Sequence, residues 1–293
     1  MGANTREIRT RIKSVKNTQQ ITKAMQMVAA AKVRRAQERV TAAKPFSQKI
    51  AEVFRQVAGQ LPKGEFKSPL LDQRPVKSVA LVVITSDKGL SGGYNANVIR
   101  SAVLRHRHWT SQGIQPKLII VGTKGVQFFR HSNFDVVARF QNLPAVPTFS
   151  EASEIVKEAS NLFADGTVDQ VEFIYTVFKN MVTQTPTTIT LLPATMPEAD
   201  DSAPKGPQSL YEFEPSADEV MTAIIPKYLE TVVYQALLES ATSQLAAQMT
   251  AMSAASKNAK ELAAALSLVY NKARQAAITQ EISEVVGGAA AAV

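Results

Sequence analysis

The stretch whose residue types and position could best form a binding or catalytic loop is a glycine-bearing turn, Ser86 to Asn95. It follows a run of apolar residues. Phosphate-binding loops occupy this kind of position, between a strand and a helix, because a helix N-terminus attracts anions. The turn has neither the Gly-Lys-Ser/Thr of a P-loop nor the glycine spacing of a dinucleotide fingerprint. Asp87 and Lys88 can equally form a surface ion pair, and Gly89 and the other glycines can simply serve tight turns.

Two further groups of reactive side chains lack partners in the sequence. His106 and His108 flank Arg107, but a metal site needs a third ligand and none is close by. Ser91 has no evident base, so nucleophilic catalysis has no support. Cysteine is absent, which excludes disulfides, thiolate metal sites and thiol switching. We therefore expect no catalytic set, no metal and no cofactor in this chain.

The region around the turn alternates between strand and helix patterns. Strands are predicted at Val79–Ile84, Lys117–Val121, Phe134–Phe140, Val168–Lys179 and Pro186–Leu192. Helices are predicted at Ala96–Ser111, Gly125–His131 and Ser150–Ala164, the last with Ser150 as its N-cap. Interleaved strands and helices predict an α/β layered domain with a largely parallel sheet. The Pro-, Asp-, Ser- and Gly-rich stretch Ala194–Pro215 is predicted to be a linker.

The C-terminal stretch Lys227–Val286 contains no glycine or proline and predicts one continuous helix, roughly 90 Å long. A compact domain has no room for such a helix, so it must project. Its apolar residues recur at heptad spacing, which predicts a slender, alanine-rich coiled coil; the alternative is a helix of an ordinary all-α bundle. The first seam position holds Leu245, Met252, Ala259, Leu266 and Ala273, and the second holds Leu262, Val269 and Ala276.

The N-terminal stretch Ala3–Ala58 also lacks glycine and supplies the partner helix, so we expect an antiparallel pair. Pro45 removes an internal hydrogen bond and predicts a bend near Thr41, without ending the helix. The apolar residues at helical spacing are Ile8, Ile12, Val15, Ile21, Met25, Val28, Ala36, Val40, Ala43, Ile50, Val53 and Val57.

Positive charge is concentrated in the first helix. The whole chain carries a net charge of +8, whereas residues 1–60 hold thirteen Lys or Arg against three Glu. Such a stripe suits nucleic acid, an anionic membrane surface or an acidic protein, or it is simply a solvated face. The first 45 residues contain no aromatic side chain that could stack on bases, so we expect no nucleic acid partner. No apolar run reaches the length of a membrane span, and no signal-peptide core is present.

Several motifs resemble one family, the gamma subunit of F-type ATP synthases. They are the ending Ile278–Ala289, the preceding Tyr270–Ala277, the segment Ile21–Ala29 of the first helix, and the turn Ser86–Asn95. These motifs cover both terminal helices and the α/β region in the family's order. The cysteine-bearing insertion of plastid members is absent, so the chain resembles the bacterial or cyanobacterial type.

The resemblance implies a central-stalk rotor subunit that is not catalytic by itself. In this family the two terminal helices form an antiparallel coiled coil inside the catalytic hexamer of alpha and beta subunits. A Rossmann-like α/β domain contacts the epsilon subunit and the proton-driven c-ring, so that torque passes between ring and hexamer. The implied division is 1–60, 70–205 and 210–293. One copy per complex is implied, with alpha, beta, epsilon, delta and c subunits as partners.

The family motifs also assign partner-binding residues by similarity. Contacts with the alpha/beta hexamer are implied for Lys23, Met25, Arg274, Gln275, Thr279 and Glu281. Contacts on the epsilon and c-ring side are implied for Asp87, Lys88, Gly89 and Asn95. The basic first helix then faces an acidic segment of the beta subunit. The implied location is peripheral, on the cytoplasmic side of a bacterial inner membrane, or on a thylakoid membrane if the source is cyanobacterial.

Two functions of other classes remain open from the residues alone. A basic coiled coil with an α/β domain could be an adaptor that scaffolds RNA or an acidic partner, which the salt dependence of RNA binding would test. An α/β enzyme using the turn Ser86–Asn95 would require nucleotide binding by the isolated segment 70–205.

Overall fold

A computed structural model provides the structure of the chain, and it describes residues 2–60, 68–131, 133–195, 214 and 216–291. The chain divides into two compact units. Unit 1 combines residues 1–31 with 248–293, and unit 2 is residues 32–247. Most of the predicted linker Ala194–Pro215 lies outside the described residues. The division at 60, 70, 205 and 210 stays a prediction.

Two long helices enclose five strands and three shorter helices in the order of the chain. The elements are α1 (Gly2–Gln60), β1 (Val79–Ile84), α2 (Tyr94–Ser111), β2 (Lys117–Val121), α3 (Thr123–Phe129), β3 (Asp135–Phe140), α4 (Phe149–Ala164), β4 (Gln170–Phe178), β5 (Gln184–Leu192) and α5 (Ala217–Ala291). A short 3-10 turn, Pro69–Leu71, precedes β1.

The five strands of unit 2 form one sheet in the order β3-β2-β1-β4-β5. The first four strands are parallel and β5 runs antiparallel to β4, which confirms the largely parallel sheet. All six residues of β1 are buried, as expected of a strand covered on both faces. The loop that follows β1 therefore leaves from the middle of the sheet's carboxyl edge.

The two faces of the sheet are covered by different helices. Buried residues of α4 and of the unit 2 parts of α1 and α5 pack on one face, and buried residues of α2 and α3 pack on the other. Phe54 of α1 lies 5.0 Å from Tyr228 of α5, between ring centroids. Val33 of α1, by contrast, clusters with Leu245 of α5. Within unit 2 the two long helices are therefore antiparallel, as the sequence predicted.

In unit 1 the first predicted seam position of α5 is confirmed. Met252 and Ala259 are buried, and Leu266 and Ala273 are half-buried. The second predicted position is wrong, because Leu262 and Val269 are 46% and 51% exposed and Ala276 is exposed too. The buried residue lies one place later, at Ala263.

The same one-residue shift occurs on α1. Ile21 and Val28 are 60% and 56% exposed, whereas Thr22 and Ala29 are buried. A heptad seam alternates steps of three and four residues, and apolar character alone does not decide which step comes first. At the shifted positions the buried residues, Thr22, Ala29 and Ala263, are each smaller than the exposed neighbour that precedes them.

The ends of several elements differ from the sequence predictions, those of α5 and α4 among them. Helix α5 begins at Ala217, ahead of the predicted Lys227, and continues through Pro226. The N-cap of α4 is Thr148 and not Ser150, because Thr148 and Glu151 form a capping box. Helix α1 continues through Pro45, as the sequence predicted, and the bend near Thr41 stays a prediction. Among the described helices, none combines the length and apolar character that a bilayer crossing needs.

Candidate functional site

The turn after β1 is held in place by Asp87. Its Oδ1 accepts hydrogen bonds from the backbone N–H of Thr123 at 2.9 Å and of Asn142 at 3.0 Å, and also from the Thr123 hydroxyl. Its Oδ2 accepts one from the N–H of Leu143 at 2.9 Å. Asp87 therefore links the loops after β1, β2 and β3. These hydrogen bonds, and not the suggested surface ion pair with Lys88, organise the turn.

These contacts decide the charge state of Asp87. Partial burial alone would raise the pKa of this carboxyl group, but the hydrogen bonds from Thr123, Asn142 and Leu143 outweigh it and hold the pKa below the usual value. The carboxylate is therefore a fixed anion that accepts hydrogen bonds. Its acceptor positions are directed at the protein's own backbone, so it is poorly suited to act as a general base.

The rest of the turn is also braced internally. Asn95 accepts a hydrogen bond from the Ser86 backbone N–H at 3.0 Å and donates one to the Ser86 hydroxyl oxygen at 2.9 Å. Leu90 has a positive φ of 63° and is exposed together with Lys88. Gly89 packs near the Lys124 side chain, 3.6 Å from the point where a Cβ would lie. The turn thus presents Lys88 and Leu90 on a rigid support.

A glycine on the neighbouring loop is required by close packing. Gly122 has φ 94°, and a Cβ there would lie 2.4 Å from the Thr85 carbonyl oxygen. The Thr85 hydroxyl donates a hydrogen bond to the Val121 carbonyl at 2.8 Å and accepts one from the Gly125 N–H at 2.9 Å. These contacts lock the carboxyl ends of β1 and β2 together beneath the turn.

The structure does not bring the other candidate side chains together. The His106 ring packs edge-on against Phe134 with centroids 4.7 Å apart, and partial burial lowers its pKa. His108 packs against Trp109. Ser91 is buried next to Asn95, which is not a base. The described residues contain no group of three or more side chains suited to hold a metal ion.

The residues assigned to the hexamer all lie on unit 1. Lys23 is exposed and Met25 is half-buried on α1. On α5 the four assigned residues are all exposed: Arg274, Gln275, Thr279 and Glu281. The Thr279 hydroxyl donates to the Gln275 carbonyl at 2.9 Å, a bond within the helix. The side chains of Arg274, Gln275 and Glu281 are accessible to another molecule, because this part of α5 is exposed on most of its faces.

One polar cluster of unit 2 was missed by the sequence predictions. Glu172 on β4 is fully buried and accepts hydrogen bonds from Arg105 Nε at 2.6 Å and from a second Arg105 nitrogen. Trp109 Nε1 donates to the same carboxylate at 3.3 Å, and Gln170 Nε2 donates at 2.8 Å. The sequence signal for this cluster was Glu172 itself, a charged residue within the apolar run of β4. A carboxylate buried in such a strand needs a cationic partner, so its position could have predicted one.

Comparison with known proteins gives a consistent result over the whole length. The family model described as ATP synthase matches residues 4–292. The ATP synthase gamma chain of Desulforamulus reducens is 47% identical over 289 residues, covering 99% of both chains. The corresponding gamma chain of Gloeothece citriformis is 46% identical and covers 98% of both chains. That of Synechococcus elongatus is 44% identical and covers 99% of both chains.

Solved structures share the fold. A chain from the central stalk and c-ring of the Tetrahymena thermophila mitochondrial ATP synthase is 28% identical, with a TM-score of 0.58, and covers 80% of this chain and 99% of that one. A chain of the Euglena gracilis mitochondrial ATP synthase is 18% identical with a TM-score of 0.70, covering 99% of this chain and 95% of that one. The second similarity supports the fold alone.

Proposed function

Because this chain belongs to the ATP synthase gamma chain family, we propose that it acts as the central-stalk rotor, with unit 1 as the part that engages the catalytic hexamer. The observation that carries this function is 47% identity with a gamma chain over 99% of both sequences. A rotor must present side chains to several equivalent partners in turn. The exposed surface of unit 1 supports that role.

Torque transmission requires contacts that form and break during each revolution. An exposed guanidinium and carboxamide at Arg274 and Gln275 can reach several acceptors at once, with charge-assisted hydrogen bonds of about 1.5–3 kcal/mol each. Thr279 and Glu281 extend this surface by nearly two turns along α5. Lys23 and Met25 supply the contacts from α1. Bonds of this strength hold a partner yet exchange more readily than a deep hydrophobic contact.

The second proposed surface lies at the carboxyl edge of the sheet in unit 2. Lys88 is exposed there, whereas Asp87, Gly89 and Asn95 support the loop from beneath. We assign Lys88 to direct contact with the epsilon and c-ring side, together with the exposed Leu90 beside it. Asp87, Gly89 and Asn95 act through the shape of the turn.

The finer assignments follow from the same proposal. The chain forms no bond in ATP itself, and it takes part in one copy per complex with alpha, beta, epsilon, delta and c subunits. The division into 1–60, 70–205 and 210–293 describes its working parts. It lies peripherally on the cytoplasmic side of a bacterial inner membrane, or on a thylakoid membrane in a cyanobacterium.

The experiment replaces Arg274 and Gln275 by alanine in the assembled ATP synthase. We expect slower ATP synthesis or weaker assembly, with the isolated chain still folded, because both side chains are exposed and can be removed without disturbing packing. The matched control is Lys257→Ala with Asn258→Ala, an exposed cation and carboxamide on the same helix. Normal synthesis and assembly by the Arg274/Gln275 variant would contradict the proposed contact.

A further inference from the structure

Helix α5 makes a direct polar contact with strand β4 in unit 2. The side chains involved are Ser240 and Ser243, which are 2% and 0% exposed. The Thr176 N–H of β4 donates a hydrogen bond to Ser240 Oγ at 3.2 Å, and Ser243 Oγ donates one to the Thr176 carbonyl at 3.3 Å. Two side chains of one helix therefore hold both backbone groups of a single strand residue.

These hydrogen bonds take the place of strand pairing. The pairing of β1 with β4 reaches Val83, which lies opposite Ile174. Strand β4 then continues to Phe178 with β5 on its other side. Beyond Ile174, β1 offers no partner to the backbone of β4, and a buried backbone group without a partner is costly. The serine hydroxyl groups of α5 supply the missing partners at Thr176.

Nearer its start, α5 contacts the same face of the sheet through apolar side chains. Val233, Ala236 and Leu237 belong to the buried core on that face, and they precede Ser240 at helical spacing. Apolar attraction has no preferred direction, whereas a hydrogen bond weakens steeply when its atoms move out of line. The two serines therefore fix the rotation and the axial position of α5 against β4 more specifically than the apolar contacts do.

This contact lies between the two ends of the proposed torque path. Tyr94 belongs to the turn Ser86–Asn95, whose exposed part is the proposed contact with the c-ring side, and is itself only 6% exposed. Its phenol has the hydroxyl groups of Ser240 and Thr176 as hydrogen-bonding neighbours. At the other end, Ser243 lies four residues before the end of unit 2, and α5 continues from there into unit 1.

We propose that Ser240 and Ser243 are positioning residues that lock α5 to the sheet, so that torque entering unit 2 passes into α5 without slip. The inference rests on the proposed rotor function. Without the two hydroxyl groups, the Thr176 backbone loses its partners, and apolar packing alone opposes displacement of α5 at this point. The contact carries a large torque when a proton gradient drives or opposes rotation. The expected defect is therefore specific to rotation under load.

The test compares ATP synthases in sealed vesicles that contain the original chain, the variant Ser240→Ala with Ser243→Ala, or a control. The matched control is Thr231→Val with Thr242→Val. Both threonines are buried on α5, and their hydroxyl groups donate to carbonyls of the same helix. Each double variant thus loses two buried hydroxyl groups, but the serine variant loses bonds to β4.

ATP hydrolysis without a proton gradient should stay nearly unchanged in both double variants, because little torque then passes through the contact. ATP synthesis driven by an imposed proton gradient should fall about tenfold in the serine variant and stay near normal in the control. A factor of about ten corresponds to the free energy of one hydrogen bond. A defect in folding or assembly alone would lower hydrolysis and synthesis in the same proportion.

A second measurement needs the full-length chain alone. Amide hydrogen exchange followed by NMR should show the Thr176 N–H as strongly protected as that of Ile174, which lies in the paired part of β4. Ser240→Ala should speed exchange at Thr176 by at least about tenfold and leave Ile174 unchanged.

The proposal is overturned if the serine variant and the threonine control have the same ratio of driven synthesis to unloaded hydrolysis. It is also overturned if Ser240→Ala leaves hydrogen exchange at Thr176 unchanged. If the serine double variant fails to assemble, Ser240→Ala and Ser243→Ala are compared singly with Thr231→Val and Thr242→Val by the same ratio. Failure of the original chain to support driven synthesis would contradict the rotor function itself, on which this inference depends.

Discussion

At the scale of single residues, Asp87 shows how one carboxylate can define a loop cluster. It receives backbone hydrogen bonds from two other loops, 36 and 55 or more positions away in sequence. None of these partners could be foreseen from the Asp87–Lys88 dipeptide, because the loops meet only through the parallel order of three strands. The sequence indicated an important turn, and the sheet topology explains its chemistry.

We expect Asp87→Asn to destabilise the chain by about 1–3 kcal/mol at pH 7. The amide keeps one acceptor oxygen but turns an N–H group toward a backbone donor, so at least one hydrogen bond is lost. Urea unfolding of the full chain measures the effect. Asp165→Asn, which changes an exposed carboxylate on the end of α4, is the control and should change stability little.

The same residue gives a pH dependence. The folded pKa of Asp87 lies below its ordinary value, so its contribution is fully present above the unfolded pKa of about 4. That contribution is lost as the pH falls through the folded pKa. The stability difference between the original chain and Asp87→Asn should therefore be constant from pH 5 to 7 and shrink below about pH 4. A difference that grows on acidification would contradict this role.

At the scale of elements, a buried ion pair fixes α2 to β4. Arg105 reaches Glu172 with two nitrogens, and the guanidinium carbon also lies 5.0 Å from the Trp109 ring centroid. The Glu172 side chain is almost wholly buried, whereas 32% of the Arg105 side chain is exposed. Removing the cation therefore leaves a buried charge, and removing the carboxylate leaves a cation that water can still reach.

We expect Arg105→Leu to cost about 3–5 kcal/mol of folding free energy, because it leaves Glu172 buried and uncompensated. Replacing both residues by leucine should recover most of that loss, since two apolar side chains need no partner. Urea unfolding of the original chain, the two single variants and the double variant forms a double-mutant cycle, which measures the coupling free energy between Arg105 and Glu172. A double variant as unstable as Arg105→Leu would show that packing, and not charge, determines this contact.

The seam of unit 1 supplies a second prediction at this scale. Leu266 is half-buried on the observed seam, whereas Leu262 lies on the outside. Leu266→Ala should lower the stability of the isolated chain by about 1–2 kcal/mol, because half of a leucine side chain loses its burial. Leu262→Ala should change it by less than about 0.5 kcal/mol. Thermal unfolding measures the stability of the two variants. Equal losses of stability would contradict the assignment of Leu266, and not Leu262, to the seam.

The elements also show what could be predicted from sequence. The strands β1 and β2 were predicted with their observed ends, because continuous runs of Val, Ile and Leu bounded by polar residues have few other interpretations. The N-cap of α4 was misplaced because Thr148 and Ser150 are both good caps, and only the partner Glu151 distinguishes them. The second seam position was shifted by one residue because apolar character alone does not fix the order of the three- and four-residue steps, and Ala263 is buried there in place of Leu262.

At the scale of the whole molecule, charge is distributed unevenly along the sequence. Residues 1–31 hold six Lys or Arg and one Glu, whereas residues 248–293 hold four Lys or Arg and three Glu. The first helix therefore provides most of the positive field of unit 1. A field of this kind accelerates association with an acidic partner and weakens as salt screens it.

On the proposed function, we expect association of the full chain with purified alpha/beta hexamer to slow on the order of tenfold between about 0.05 and 0.2 M salt. Lys16→Gln with Lys23→Gln should slow association at low salt, because both cations are exposed on α1. Lys257→Gln with Lys260→Gln, on α5, is the control. Stopped-flow fluorescence gives the association rates. If the two pairs of substitutions slow association equally, the first helix has no special role in attracting the hexamer.

The small residues at the seam of unit 1 have a mechanical consequence. Ala29 and Ala259 are only 2% and 7% exposed, and side chains of this size let two helices approach closely. A thinner rod resists twisting less than a thick one. We therefore expect unit 1 to behave as a compliant torsional spring that smooths stepwise rotation into continuous motion. Bulky substitutions at Ala29 or Ala259 should make it stiffer, and single-molecule measurements of angular fluctuation in the assembled enzyme can detect the change.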